Sequence, residues 1–448
     1  MAVKLTNQLV RIPEGCSIVR ANVFEDYDEL IISRPIPEER ICPSCGSAHC
    51  VVKSAMEYHS ARQIAISRRP TILTYQKQRF ACMECGSTFY YNPDWVLPGL
   101  KITRNLAADL FTDLMETSSL HHIALKNGIS YSVLQTFFDH IEISAPTSLP
   151  ETICIDEFKG ETGVWDSKKK KFNTEKFHTA VTDGGIHRII DVIPSRRAQD
   201  VIDYFMKYSP DERKMVRYFC CDMSNSYVSV AKRCFPSAAI CIDLFHVVQR
   251  LNGAVDAVRR RLQHEAREKG DQENYLLLFH LSLTLKTAKR NIPLRWNISA
   301  EKKEAKLQRA FDLFPELHYA YLMLQDFHSV LDEKTLYEKR LMLGKWILDY
   351  VDSECPDVAA AARTIRYWKQ MIINSWQYNR SNGPAEGLND KIKVVKRLAF
   401  GMHRFDAFRK RILLICGPIV PPDEYVRIQW DQLKKADAQK KTSKAKQE

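Results

Sequence analysis

Apolar and polar positions along the chain change period several times, and each change marks a segment. Residues 1–40 alternate short apolar runs with charges (CSIVRANVF, ELIISRPIP), which reads as a few strands. From Thr103 to about Ile143 the apolar positions recur at helical spacing, and APTSLP (145–150) has the composition of a linker. The next hundred residues are β-rich: TICIDEF, KFHTAVTD and HRIIDVIP, a helix around 197–208, then MVRYFCCD, a helix over SYVSVAKRCF and the run AAICID. That order predicts an α/β domain on a mixed sheet. From about 245 to 372 the pattern is helical almost throughout, and 384–417 again reads as helices. No repeat of 20–50 residues is visible.

Charge changes this picture by suggesting a partner. The 448 residues carry a net charge of +12, which favours a polyanion, most commonly nucleic acid. Part of the excess lies in LKKADAQKKTSKAKQE, read as a disordered basic tail over 431–448. No stretch approaches the ~18 apolar residues of a membrane span, and MAVKLTNQLVRIPEG does not read as a signal peptide. The expectation is a cytoplasmic, nucleoid-associated protein with no membrane partner. Its 13 cysteines are then better read as buried thiols or metal ligands than as disulfides.

Four of them are paired. Cys42-Pro-Ser-Cys45 and Cys82-Met-Glu-Cys85 are each followed by glycine, Gly46 and Gly86. Two such knuckles supply four thiolates for one structural zinc, and glycine allows the backbone turn that aims amides at sulfur. The strand-like filling between them suggests a ribbon with a knuckle at each end. His49 and Cys50 compete as ligands, but the symmetric set is preferred. Arg62, Arg68, Arg69, Lys77 and Arg79 make the ribbon basic; for any one of them a solvated face is the simpler account.

LHHIALKNGISYSVLQTFFDHI (120–141) has the form of a helix-turn-helix. Gly128 can take the turn, Ile129 can plug the angle, and Ser130 can cap the second helix. Tyr131, Ser132 and Gln135 are then the exposed candidates for DNA contact. A structural helical hairpin would show the same pattern.

Asp156 interrupts an apolar strand and Asp222 ends another, where an uncompensated charge is costly. Carboxylates carried on neighbouring strands repel until a cation binds, and two ions about 4 Å apart suit phosphoryl transfer. NGPAEGLNDKIKVVKRLAFG offers Glu386 near a helix start as third ligand, with Asn389, Lys393, Lys396 and Arg397 at helical steps beyond it. A solvated amphipathic helix would also fit that stretch. Glu157 should face away from Asp156. Asp183, Asp191 and Asp243 are rival acids; Asp243 and His246, in DLFH, are placed behind the ligands. Trp368 and Trp376 read as core.

CPSC and CMEC, the helix-turn-helix, ICIDEF, the VTD strand, CCDMSNSY, IDLFHVVQRLN and NGPAEGLNDKIKVVKRLAFG together resemble bacterial insertion-sequence transposases of the ISL-three family, over nearly the whole chain. The resemblance implies a DDE-type enzyme with an RNase H-like catalytic domain and a large helical insertion before the last acid. It places the triad on Asp156, Asp222 and Glu386, with two magnesium or manganese ions, and implies binding of element ends, cleavage and strand transfer on double-stranded DNA. Lys393, Lys396 and Arg397 would grip phosphates, and pairing two ends would need at least a dimer on DNA. The expected layout is a β/zinc-ribbon domain (1–98), a helix-turn-helix domain (99–148), a catalytic domain in two parts (149–248 and 373–430), an α-helical insertion (249–372) and the tail. The alternatives are an RNase H-fold nuclease and a transposase-derived zinc-containing DNA-binding regulator without catalysis.

Overall fold

The computed structural model describes residues 10–35, 40–91, 93–97, 99–143, 146–166, 171–296, 299–399, 402 and 404–418, with 161–166 and 171–176 as backbone alone. The expected tail, 431–448, lies outside these residues. The chain divides into two compact units: Met1–Ala145, Glu161–Thr174 and Asp390–Glu448 form one, and Pro146–Gly160 with Glu175–Asn389 the other.

In the first unit, strands β1 (Ser17–Val23), β2 (Asp28–Ser33), β4 (Glu57–Ile66) and β5 (Arg69–Lys77) form one sheet in the order β1-β2-β5-β4. Strands β3 (Cys50–Val52), β6 (Arg79–Cys82) and β7 (Thr88–Tyr90) form another. This differs from the expected single ribbon. The β4–β5 hairpin between the cysteine pairs joins the N-terminal strands, because Ala61, Leu73 and Tyr75 share a buried face with Leu30 and Ile32. The knuckles keep a small core of their own around Phe80 and Phe89.

Three helices follow: α1 (Arg104–Met115), α2 (Leu120–Lys126) and α3 (Tyr131–His140), capped by Thr103, Ser119 and Ser130. Gly128 turns between α2 and α3 at φ +61°, and a methyl group there would sit 2.7 Å from the Pro70 ring. The turn therefore lies directly on the first sheet. Ile129 is buried in the helical core. Near the C-terminus, α15 (Phe405–Cys416) packs into the same core through Leu414. Its Arg411 is fully buried and donates to the carbonyls of Leu114, Glu116 and Ser118, at and just beyond the end of α1. Residues 405–416 thus pack with the helix-turn-helix, although the sequence pattern assigns them to the second part of the catalytic domain.

The second unit is built on a five-stranded mixed sheet in the order β10-β9-β8-β11-β12. Its strands are β8 (Thr152–Asp166) and β9 (Lys171–Asp183), each apart from the stretch that counts with the first unit, and β10 (Arg188–Ile193), β11 (Tyr218–Cys221) and β12 (Ala239–Ile242). β9 and β10 are antiparallel, whereas β11 runs parallel to both β8 and β12. Side chains alternate between the two faces. Ile153, Ile155, Phe219 and Cys221 join α4 (Ala198–Phe205) and α6 (Asn225–Cys234) in a large core; the short α5 (Pro210–Lys214) precedes β11. Cys154, Cys220 and Cys241 lie on the opposite face, in register, under Ala385.

Helix α7 (Leu244–Glu268) leaves β12 and opens the insertion. It continues through α8 (Gln272–Leu281), α9 (Ile292–Trp296), α10 (Ala300–Leu313), α11 (Pro315–Asp332), α12 (Leu336–Tyr350) and α13 (Pro356–Tyr378). These helices share one continuous core with the α4/α6 side of the sheet, and Trp368 is part of it. The return is fixed by polar contacts. Asn374 donates to Ile240 O at 2.9 Å, while Ser375 Oγ accepts from Ile242 N and donates to Ile242 O. Side chains of α13 thereby occupy hydrogen-bonding groups of edge strand β12. Asn379, at φ +50°, ends α13, and α14 (Gly383–Leu398) begins four residues later.

Candidate active site

Asp156 and Asp222 owe their alignment to strand register. Cys154 pairs with Cys220 across β8 and β11, and Cys220 with Cys241 across β11 and β12. Two residues further on stand Asp156, within β8 and on the face away from the large core, and Asp222 and Asp243, directly after the last residues of β11 and β12. Glu157, one residue off this period, instead pairs with Arg196 at 3.1 Å.

Glu386 enters on the first turn of α14. His246, in the first turn of α7, connects it to the sheet. Its Nε2 lies 3.0 Å from Asp222 Oδ1 and 3.6 Å from Glu386 Oε1. Two buried amides complete the frame. Asn389 donates to Asp156 Oδ2 at 2.5 Å and to Glu157 O at 3.3 Å. Asn382 donates to Asp222 Oδ1 at 3.2 Å and to Ile155 O at 3.1 Å. Asp243 plays a different part, for it is buried and caps α7, accepting from Phe245 N at 2.8 Å. Asp183 accepts from Gly185 and Ile186 in the β9–β10 turn, and Asp191 is buried beside a strand irregularity.

Charge is concentrated here without full compensation. Burial, and then the neighbouring charge of Asp222, push the Asp156 carboxyl up to about 6. The hydrogen bond to Asp222 raises His246 to about 9, so the imidazole is protonated at neutral pH. Among the described residues, only Cys42, Cys45, Cys82 and Cys85 bring three or more ligating atoms within 4.8 Å of one another. The carboxylates stand wider than one ion would draw them, with cationic His246 between Asp222 and Glu386. Carboxylate oxygens are the donors that magnesium and manganese prefer. The Oδ1 atoms of Asn382 and Asn389 are buried acceptors with no hydrogen-bond partner. This donor set fits a hard divalent cation.

In the knuckles, Cys42 and Cys85 sulfurs are 3.6 Å apart and those of Cys45 and Cys82 3.5 Å. A tetrahedron with 2.3 Å zinc–sulfur bonds has edges of about 3.8 Å. Gly46 and Gly86, at φ +74° and +71°, donate to Cys42 O and Cys82 O in matching turns. The competing residues are engaged elsewhere: His49 with Glu84 at 3.4 Å, and Cys50 with Ser47 O. Arg69 and Arg79, expected on a basic face, are also occupied, by Asp28 and Thr88.

On α3, Tyr131 and Ser132 are exposed and Gln135 is partly so. Tyr131 donates to Gln135, which donates to Asp139. Lys393 pairs with Asp390 at 2.9 Å on α14, and Lys396 and Arg397 lie in its last turn.

Comparison with known proteins bears on the same residues. A family profile described as Transposase, of the DDE type, matches residues 153–412, a span that encloses all three acids. The chain belongs to the ISL-three transposase family. The transposase for insertion sequence element IS1001 from Bordetella parapertussis is 21% identical over 411 residues, 89% of this chain and 95% of that one. The transposase for IS1557 from Mycobacterium tuberculosis strain H37Rv is 24% identical over 238 residues, 50% of this chain and 53% of that one. A protein described as an ATP-dependent protease from Lactococcus lactis subsp. lactis is 33% identical over 104 residues, only 23% of this chain. Family membership makes the chain a DNA transposase, an enzyme that acts on DNA with divalent metal. No helix among the described residues is long and apolar enough to cross a membrane.

For an ISL-three transposase, the residues that sequence reasoning misses are as informative as those it names. Asn382 sits in the NGPAEG motif without drawing notice there, although it is fully buried and tied to Asp222. The signal is an asparagine directly before a glycine–proline helix start. Nothing local announces the layer formed by Cys154, Cys220 and Cys241.

Proposed function

We propose that this transposase cleaves and joins DNA at an RNase H-like catalytic domain whose working acids are Asp156, Asp222 and Glu386. The observation that carries the reading is the frame around them. Strand register aligns the two aspartates, and Asn382, Asn389 and His246 tie them to Glu386 and its helix. The sheet order β10-β9-β8-β11-β12, with β11 parallel to β8 and β12, supports the RNase H-like assignment.

Two magnesium or manganese ions held by the three acids would supply activation of the attacking oxygen and charge neutralisation at the leaving oxygen. The chain's own residues do the rest. Asn389 fixes the orientation of Asp156, and Asn382 that of Asp222. His246 holds a proton between Asp222 and Glu386. Zinc on the four cysteines would fix the knuckles, and α3 would read the terminal inverted repeats through Tyr131, Ser132 and Gln135. Lys393, Lys396 and Arg397 would hold DNA phosphates. Two ends must be joined, so the working form would be at least a dimer.

The test is purified protein with magnesium and a duplex carrying an element end, scored for 3′-end cleavage and joining. Cleavage that Asp156→Ala, Asp222→Ala and Glu386→Ala abolish supports the assignment. Binding without cleavage, under magnesium and manganese alike, would leave a DNA-binding regulator; cleavage surviving those variants would place the active site elsewhere.

A further inference from the structure

The start of the insertion carries a second pocket that the acids do not use. It encloses about 620 Å³ beside the first turn of α7, and its polar lining includes Lys334, Lys339, Arg380 and Ser381. Among the described residues, no carboxylate lines it. The three cations come from three places: Lys334 from the α11–α12 connection, Lys339 from the first turn of α12, and Arg380 from beyond the end of α13. Of the acids nearest in sequence, Glu333 does not line the pocket, and two others are engaged. Asp332 pairs with Arg290, and Glu338 closes the capping box with Thr335.

Two of these cations rest on aromatic rings instead. Lys339 Nζ lies 5.7 Å from the Trp376 ring centre, and Arg380 5.0 Å from that of Tyr218. The Trp376 and Arg380 nitrogens Nε1 and Nε are buried donors with no acceptor among the described residues. A buried donor left unmatched loses its hydration without a compensating hydrogen bond. Trp376, which the sequence pattern assigns to the core, does pack against it and is partly buried, and it also lines this pocket. Three converging cations, two unmatched donors and no acid describe a receptor for an anion.

The pocket's place narrows the choice of anion. Its lining residues Ser381 and Leu244 directly adjoin Asn382, which orients Asp222, and Asp243, which caps α7. Phe245, 59% exposed, forms an apolar wall next to His246. We propose that this pocket takes a backbone phosphate of the DNA being cut, with the adjoining sugar against Leu244 and Phe245. The inference rests on the catalytic reading above. It gives the insertion a direct part in holding the substrate strand, independent of α3 and of the lysines on α14.

The test measures binding of the full-length protein to an end-containing duplex across a salt series without magnesium. The double variant Lys339→Ala/Arg380→Ala is expected to bind about tenfold more weakly at moderate salt. The slope of log K against log salt should fall by about 1, since one lost phosphate contact removes ~0.9. Trp376→Phe keeps an aromatic face for Lys339, removes the N–H, and is expected to weaken binding about threefold with melting near wild type. A folded double variant with unchanged affinity and slope overturns the proposal. If the double variant melts early, Lys339→Gln and Arg380→Gln, each alone, carry the same test. Trp376 fluorescence, taken as wild type minus Trp376→Phe, is titrated in parallel with duplex, ATP and inorganic phosphate. A change with duplex supports the DNA assignment, whereas saturation by ATP that duplex cannot displace overturns it in favour of a free nucleotide. Asp156→Ala separates the two readings: it should bind DNA as wild type and fail to cut. If it cuts, the catalytic assignment fails while the salt slope still decides the pocket.

Discussion

The cysteine cluster and the carboxylate cluster are both candidate metal centres, built in opposite ways. Each cysteine pair is held by its own short turn, with Gly46 and Gly86 repeating the same backbone hydrogen bond. The four sulfurs already stand within 4.8 Å of one another. The acids come from segments as much as 230 residues apart, and they remain wider, propped by a protonated imidazole and two amides. Closed coordination suits a structural ion, and an open arrangement leaves room for reacting oxygens. Local sequence suffices for the first kind of site. The second depends on the whole catalytic unit folding around it.

The strongest way to break this contrast is to remove one acid. Asp156→Ala or Glu386→Ala should lower strand cleavage by about 10³-fold or more while leaving DNA binding and melting near wild type. Loss of folding instead would make the acids structural. Next in size is the zinc side. Chelation, or Cys42→Ser with Cys82→Ser, should release one zinc per chain and open the β3-β6-β7 sheet, because a structural zinc supplies binding energy directly to folding. Limited proteolysis should then cut between residues 40 and 91 and spare the five-stranded sheet. Metal analysis that finds no zinc in the folded protein would remove the contrast altogether.

A finer probe separates ligands from the groups that orient them. Asn389→Ala or Asn382→Ala should cost about 10–100-fold in activity, and raised magnesium should recover part of the loss. The same change without magnesium rescue would assign those amides to folding alone. The smallest effect concerns pH in magnesium-free protein. The Asp156 carboxyl is raised to about 6, so the folded state binds its proton more tightly than the unfolded chain does. That contribution is full below the ordinary carboxyl value near 4 and is lost as pH rises through 6. Asp156→Asn should therefore gain in melting temperature relative to wild type between pH 4 and pH 7. A constant difference across that range would show that Asp156 carries no such strain.

How much of the molecule is legible in its sequence depends on the range of the contact. Cys42, Cys45, Cys82 and Cys85 are readable from spacing, as are Gly128, Ile129 and Ser130. Asp156 and Asp222 are readable because acids stand out in apolar strands. Glu386 needs family resemblance, since its first-turn position fits a solvated helix equally well. Asn382 escapes notice because its bonds to Ile155 and Asp222 span more than 150 residues. Arg411 is invisible for the same reason: nothing nearby hints that this guanidinium will be buried against the carbonyls at and just beyond the end of α1. The β4–β5 hairpin reads correctly as strands but with the wrong partner, because alternation predicts a buried face and not what covers it.

The contact between Gly128 and Pro70 has one further consequence. With the turn of the helix-turn-helix resting on the first sheet, and α15 tied into the same core, α3 cannot swing on a tether relative to β4 and β5. On a duplex, whatever α3 touches and whatever that sheet touches would be held in fixed rotational phase. About five added base pairs between the two footprints, half a helical turn, would put one of them on the far side of the helix, and the protein has no slack there with which to follow.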